Sequence, residues 1–369
     1  MTRTPPGPPG LASALVVGSG LIGTSIALAL RRHGVVVHLA DRDRVSLRRA
    51  ADLGAGTAEP PPSQVDIAVV AVAPSSTAEV VASLLAGNAA ATVVDTAGVK
   101  HGILRQLAST VGPVPHFVGT HPMAGRERSG PGAARADLFE GRPWVLTPSG
   151  TDERSLVRAR HLVDLCGGVA VELDAGTHDS AVALVSHVPH VAATLVAARL
   201  AEADDPTVAL TGQGLRDVTR IAASDPDLWV DVLAANAAPV AHVLAELRQD
   251  VDAVIHALHE ISDDPEWGRT ALREVLVRGN AGRARLPGKH GGTSRPYAVV
   301  PVVLPDRPGE LARLFADVGG AGVNIEDVRI EHSPGQPVGL VELAVAPEAG
   351  DAVASTLAGL GWVVHAGSG

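Results

Sequence analysis

The chain has 369 residues, a net charge of −10 and 46% hydrophobic residues; at about 150 residues per domain this length suggests two or three domains. Its 40 Gly and 27 Pro stay below the combined share of roughly 25–30% that marks low complexity, so extensive disorder is excluded. The acidic balance and the scarcity of rings, with three Phe, four Trp and one Tyr, exclude a general nucleic-acid or anionic-membrane surface.

Residues 1–10 (MTRTPPGPPG) read as a disordered tail. The uncharged run from Leu11 to Leu30 has the length of a membrane span or signal-peptide core. Gly18, Gly20 and Gly23 break it, only Arg3 precedes it as a basic residue, and no cleavage-like site follows. It therefore reads as strand, turn and helix. Leu15–Val17 ends the strand, and Gly18-Ser19-Gly20-Leu21-Ile22-Gly23 fits G-x-G-x-x-G. Thr24–Arg32 continues as helix, and a second apolar run, Val35–Ala40, ends at Asp41. The three glycines serve different physical ends. Gly18 allows the tight turn, Gly20 lets the backbone approach a pyrophosphate closely, and Gly23 permits helix–strand packing. The helix start presents free N–H groups and a positive dipole end to the phosphates. Asp41 suits the adenosine ribose hydroxyls and favours NAD. Arg42 and Arg44 either are solvated charges or leave NADP open by holding a 2′-phosphate.

Buried strands at Val65–Val72 and Ala91–Val94, with a helix over Thr77–Leu85 between them, predict a parallel sheet covered on both faces. Ligands of such sheets sit beyond the C-terminal strand ends. Ala73-Pro74-Ser75, the loop Asp95–Lys100, and Phe117–Thr120 leading into His121 fall at such ends. His121 is thus a candidate to face a nicotinamide, unless it is an ordinary surface-loop histidine. Farther on, Cys166 is alone, which rules out an intramolecular disulfide framework and fits a reducing cytoplasm.

Gly119-Thr120-His121-Pro122-Met123-Ala124-Gly125, with Glu127, Ser129 and Gly130 following, resembles the prephenate/arogenate dehydrogenase family of tyrosine biosynthesis. The likeness continues through His178-Asp179, Ser186-His187-Val188-Pro189-His190, Gly214–Ala222 and Asp225-Pro226 to Trp229, in family order over about residues 12–290. It implies NAD(P)-dependent oxidative decarboxylation of prephenate to 4-hydroxyphenylpyruvate, or of arogenate to tyrosine. His121 matches the catalytic histidine, whose neutral imidazole takes the 4-hydroxyl proton as hydride leaves. Arg220 matches the carboxylate-binding arginine, whose planar fork suits a dianionic substrate; Arg216 lies one helical turn earlier and Asp217 is placed to hold Arg220. The residues matching His190 and Glu127 shape and close the pocket in the family. Trp229 matches an active-site tryptophan, or else anchors the core. Gly98 departs from the pattern, because the family loop often carries there a serine that binds the substrate hydroxyl and the catalytic histidine; a water, Thr96 or Ser129 would have to stand in. His187 and His190, with His178 or Asp179, have a spacing open to metal, but this hydride transfer needs none, and no metal is expected. His187 reads as packed or hydrogen-bonded internally.

The region 176–277 reads as an all-helical substrate and dimerisation domain after a Rossmann-type domain at 11–175. Its long apolar segments, Ala181–Leu200 and Asn236–Leu258, imply burial in a homodimer. Residues 278–296 read as a Gly/Arg-rich linker. Residues 297–369 alternate as βαββαβ, a ferredoxin-like unit. Within it, Asp306–Leu311 and Gly322–Ile325 resemble an ACT domain. That resemblance implies a regulatory site near Asp306, Gly309, Asn324 and Ile325, with tyrosine as effector. The rival readings are an arogenate dehydrogenase and a non-catalytic sensor of NAD and an aromatic amino acid, the latter resting on Gly98 alone.

Overall fold

The computed structural model describes residues 10–124, 130–286, 297–332 and 338–365. The uncharged N-terminal run forms β1 (Ser13–Val17), a glycine turn and α1 (Leu21–Arg32), followed by β2 (Val36–Ala40) and α2 (Arg44–Asp52). Alternation continues with β3 (Ile67–Val70), α3 (Pro74–Ala86), β4 (Val93–Asp95), α4 (His101–Thr110) and β5 (Phe117–Pro122). Then come β6 (Pro143–Thr147), α5 (Glu153–Leu165) and β7 (Val169–Glu172). The sheet runs β2-β1-β3-β4-β5-β6-β7. It is parallel from β2 through β5; β6 pairs antiparallel with β5, and β7 runs parallel to β6.

The pleat explains why β3 reads as one unbroken apolar run. Ile67 and Val69 enter the core on one face, with Val16 and Val94, while Ala68 and Val70 enter the other, with Leu15 and Val93. Both faces are dry, so neither alternate set is polar.

The chain then turns helical: α6 (Ala175–Val182), a π-helical turn (Ala183–His187), α7 (Val188–Leu200), α8 (Asp205–Ala209) and α9 (Gln213–Thr219). A 3₁₀ turn (Arg220–Ala222), α10 (Pro226–Ala235), α11 (Ala237–Glu260) and α12 (Pro265–Ala284) complete it. Pro189 has no N–H to donate back to the carbonyl four residues earlier, and the widened turn falls just ahead of it. Among the described residues one helical stretch, Ala175–Leu200, is long and apolar enough to cross a membrane. It carries His178, Asp179, His187 and His190, all buried within the protein. Helix α12 extends to Ala284, so residues 278–284 of the stretch read as linker are helical. Ala and Arg there outweigh Gly279 and Gly282, each of which costs about 1 kcal/mol relative to Ala.

Residues up to Arg248 make one compact unit, and those from Gln249 a second. The second contains β8 (Ala298–Pro305), α13 (Glu310–Gly320), β9 (Ile325–His332), β10 (Val338–Val345), α14 (Gly350–Gly359) and β11 (Val363–Val364). This is the βαββαβ order read from the sequence. The strands form an antiparallel sheet, β11-β8-β10-β9. Val300, Val302 and Leu304 alternate inward and pack with Leu314, Val318, Val341, Leu343 and Trp362.

Candidate active site

The dinucleotide loop is shaped by steric necessity. Gly18 has φ +104°, and a Cβ there would lie 2.2 Å from the Ala71 carbonyl oxygen; a Cβ on Gly23 would lie 1.9 Å from the Gly18 oxygen. A Cβ on Gly20 would meet nothing within 4 Å, so only that glycine leaves its space to something outside the protein. Gly20 precedes α1 without a side-chain cap, and the first N–H groups of the helix stay available to an anion. The hydroxyls of Ser19 and Thr24 are buried without a hydrogen-bond partner. Leu21 and Ile22 pack against the core behind the loop. Asp41, expected at a ribose, accepts from the backbone N–H of Ser19 and from that of Asp43 (2.8 Å). Its carboxylate therefore stands beside the loop with lone pairs to spare. Arg42 is exposed next to it. The cradle fits a dinucleotide.

At the C-terminal ends of β4 and β5 a buried polar frame holds His121. Asp95 accepts from the N–H of Ala97 (3.1 Å) and of Thr120 (3.0 Å). It also receives the buried Lys100 ammonium, which donates as well to the Thr120 carbonyl (2.7 Å). Trp144 Nε1 donates to the Thr120 hydroxyl (3.0 Å). Gly119 is required here, since its Cβ would collide with the Thr147 hydroxyl at 2.3 Å and press on the Lys100 stem at 3.2 Å. His121 follows this frame, half-buried. Its Nδ1 lies 2.9 Å from His178 Nε2, and His178 Nδ1 lies 2.8 Å from Asp179 Oδ1. Asp179 also accepts from the backbone N–H groups of Lys100 (2.8 Å) and His101 (2.9 Å). Burial, then the neighbouring His178, Lys100 and His187, holds the His121 imidazole well below its usual pKa, so it is neutral near pH 7. A Cβ on Gly98 would lie 3.7 Å from both Nε2 and Cε1 of His121; the residue that departs from the family pattern thus faces the Nε2 edge of the ring.

The helical segment supplies a second cluster. His190 stacks on Trp229 with parallel rings 3.5 Å apart, and its Nε2 lies 3.2 Å from the Ser224 hydroxyl. Trp229 thus packs directly on His190. His187 meets the same tryptophan edge-on at 6.2 Å. Asn236 Nδ2 donates to His187 Nδ1 (3.1 Å) and to the Asp179 carbonyl (2.8 Å), which binds this cluster to the His121 chain. Burial lowers the pKa of both His187 and His190. Arg220 is exposed and opens the 3₁₀ turn that packs against α7, the helix bearing His190. Asp217 accepts from Gln213 Nε2 (2.8 Å). Glu127 and Ser129 lie outside the described residues. Among the described residues no three His, Cys, Asp or Glu side chains are grouped to hold a metal.

Asn236 was not singled out in the sequence; the only signal was a lone polar residue at a break between two apolar helices. The frame residues Asp95 and Lys100 lay in a recognised loop, but which groups they would bond depends on strand neighbours. In the second unit Asp306 follows β8, Gly309 (φ +90°) precedes α13, and Asn324 donates to Glu326 (2.6 Å) just before Ile325 opens β9. Register places Pro305 opposite Val338 and Ile325 opposite Val345. The two parts of the expected regulatory site thus lie at opposite ends of the sheet within one chain.

A Rossmann-type nucleotide cradle, with a neutral histidine at the strand ends and a helical segment closing over it, defines a dinucleotide-dependent oxidoreductase. Comparison narrows this. The family model for the prephenate dehydrogenase nucleotide-binding domain matches residues 26–172, and that for the prephenate dehydrogenase dimerization domain matches residues 174–276. The chain belongs to the prephenate dehydrogenase family. It is 46% identical to the "Probable prephenate dehydrogenase NovF" of Streptomyces niveus over 91% of this chain and 94% of that one. Among solved structures it is similar to prephenate dehydrogenase from A. aeolicus in complex with hydroxyphenyl propionate and NAD+. That likeness has a TM-score of 0.64 and 28% identity, covering 74% of this chain and 98% of that one. Arogenate dehydrogenase from Synechocystis is also similar, with a TM-score of 0.60 and 26% identity over 73% of this chain and 98% of that one.

Proposed function

We propose that this chain converts prephenate to 4-hydroxyphenylpyruvate and CO2, using NAD. The observation that carries the reading is His121, neutral, half-buried and fixed by buried partners at the sheet end that the dinucleotide loop also serves. NAD, when bound, supplies the acceptor for the hydrogen on the hydroxyl-bearing ring carbon. The protein's part is to align that carbon, exclude water and meet the charge that develops. His121 Nε2 accepts the 4-hydroxyl proton as the carbon becomes electron-poor. Loss of CO2 and aromatisation drive the step, and the proton returns to the phenol oxygen. Arg220 binds a carboxylate, Glu127 closes the pocket, and the stacked His190–Trp229 pair forms its apolar wall. Asp41 takes the ribose hydroxyls, which favours NAD over NADP.

The chain then comprises a Rossmann domain at 11–175, a helical domain at 176–277 that pairs two copies in a cytoplasmic homodimer, and an ACT domain at 297–369. An effector touching both Asp306–Gly309 and Asn324–Ile325 would need two copies of that last unit, since one chain holds them apart; we assign it as tyrosine.

The test is NADH or NADPH formation by the purified protein with prephenate and with arogenate. Prephenate with NAD should turn over fastest. Faster turnover of arogenate would make the chain an arogenate dehydrogenase, and no turnover with any pairing would leave only the sensor reading. His121→Asn should lower kcat by about 10²–10⁴-fold, the usual worth of a positioned general base, with NAD affinity unchanged. Arg220→Ala should raise KM roughly tenfold or more, matching about 1.5–3 kcal/mol for a charge-assisted bond. Saturating L-tyrosine should lower the rate; no effect on rate or thermal midpoint would remove the effector assignment.

A further inference from the structure

The His121–His178–Asp179 chain is directional, and its direction can be worked out from the groups at its buried end. Asp179 is 4% exposed. Two of its contacts are backbone N–H donors, Lys100 and His101, at 2.8 and 2.9 Å. An amide N–H has no second role, so both carboxylate oxygens are acceptors. Burial opposes ionisation of Asp179, but the bonds from His178, His101 and Lys100 outweigh it and hold its pKa below the usual carboxylate value. The nitrogen facing Oδ1, His178 Nδ1, must therefore carry a hydrogen. In its neutral form, an imidazole with its one N–H on Nδ1 leaves His178 Nε2 bare and able only to accept. Across 2.9 Å from it stands His121 Nδ1, which must then donate. That leaves the lone pair of His121 on Nε2, the edge that faces Gly98.

We propose that His178 and Asp179 are positioning residues: the buried carboxylate sets the tautomer of His178, His178 sets that of His121, and the base is delivered with Nε2 bare toward the substrate. Neither residue touches the reacting atoms. When His121 takes a proton on Nε2, its Nδ1–H remains bonded to His178, and the Asp179 carboxylate stabilises the imidazolium through the intervening ring. No proton has to travel along the chain. Among the described residues, the charged and titratable groups around His121 are His178 and Asp179 from α6, Lys100 and Asp95 from the β4 end, and His187 from the π-helical turn. Of these, the Asp179 carboxylate is the one joined to the imidazole through a hydrogen-bonded ring.

The catalytic part of this proposal rests on the reading of the chain as a prephenate dehydrogenase; the tautomer part does not. Nitrogen NMR of the full-length protein labelled with ¹⁵N-histidine, without substrate at pH 7.5, reads the tautomer directly. The His121 signals are the pair lost in His121→Asn. A protonated Nδ1 and a bare Nε2 are expected, and the opposite pattern overturns the proposal even if prephenate turns over. Kinetics test the rest. His178→Leu removes the acceptor and should lower kcat about 10²-fold, the lower end of what a positioned base contributes. KM for prephenate and affinity for NAD should stay within about twofold. His178→Gln offers an amide oxygen to the His121 Nδ1–H and should recover at least a tenth of the wild-type kcat. Equal losses in both variants, or a loss that falls on KM, would make His178 merely structural and sink the proposal. If His178→Leu fails to fold, the wild-type spectrum and His178→Gln still decide. Failure of the wild type to use prephenate would count against the functional reading and leave the tautomer result standing.

Discussion

Gly98 places no side chain against His121 Nε2, where the family loop often carries a serine. Its backbone does not need glycine, because its φ lies outside the left-handed region and a Cβ would meet the imidazole at ordinary van der Waals distance, 3.7 Å. Gly98→Ser should therefore fold normally and bring a hydroxyl within bonding reach of Nε2. We expect kcat/KM to rise severalfold, with an unchanged thermal midpoint. A drop in rate would mean that something else already occupies that edge, such as an ordered water that the hydroxyl displaces. Lys100 illustrates a different principle at the same scale. Its ammonium is buried against Asp95 and the Thr120 carbonyl, and burial lowers its pKa while Asp95 opposes the shift. Such a pair is a weak source of stability but costly to break, because one partner would remain charged and dry. Its value here is positional, since it fixes the strand residue immediately before His121.

At the level of the element, the glycine turn between β1 and α1 separates two roles that one motif combines. Gly23→Ala should destabilise the fold, as its Cβ has no room beside the Gly18 oxygen. Gly20→Ala should leave the thermal midpoint alone, because no protein atom lies near the new carbon. It should still weaken NAD binding by about tenfold or more, equivalent to roughly 1.4 kcal/mol, through loss of close approach. Calorimetric titration with NAD and a melting curve on each variant separate the two. The motif and both strands were legible in the sequence because their chemistry is local: glycine sterics, an apolar run, a terminal carboxylate. The strand alternation of the C-terminal βαββαβ unit was legible for the same reason. β6 and β7 were not picked out. β7 is exposed throughout and lacks the buried run that marked its neighbours, and the antiparallel join at β5–β6 leaves no local trace. The π-helical turn was also invisible, although Pro189 was in plain view. A proline shows that a helical bond is missing, not how the helix accommodates the loss. In the site, His121 was found through its motif, but its tie to His178 joins residues 57 positions apart, a distance that no sequence period reports.

For the whole molecule, the clustered histidines predict an acid-labile fold. Burial lowers the folded-state pKa of His121, His187 and His190, so above about pH 6.5, the unfolded value, both states are neutral there. As pH falls below it, the unfolded chain takes up protons that the folded chain refuses, and stability is lost until the folded values are passed. The thermal midpoint should be flat from about pH 8 to 7 and fall between about pH 6.5 and 5, above the range where carboxylates titrate. A midpoint that rises on acidification would contradict the shifts. Leu195, Val196, Leu210, Val218 and Val230 in the helical segment are exposed apolar side chains. One feature ties the sheet half to the helical half more closely than packing does. The Lys100 and His101 amides that Asp179 accepts are the first N–H groups of α4, and Lys100 itself provides no side-chain cap. Helix α4 thus borrows its N-cap from α6, a substitution usually worth about 1 kcal/mol, and the borrowed carboxylate also meets the positive end of the helix dipole. Loosening α6 would fray α4 and release His178 in the same event. His121 can then be held by His178 only when the sheet and the helices are both folded.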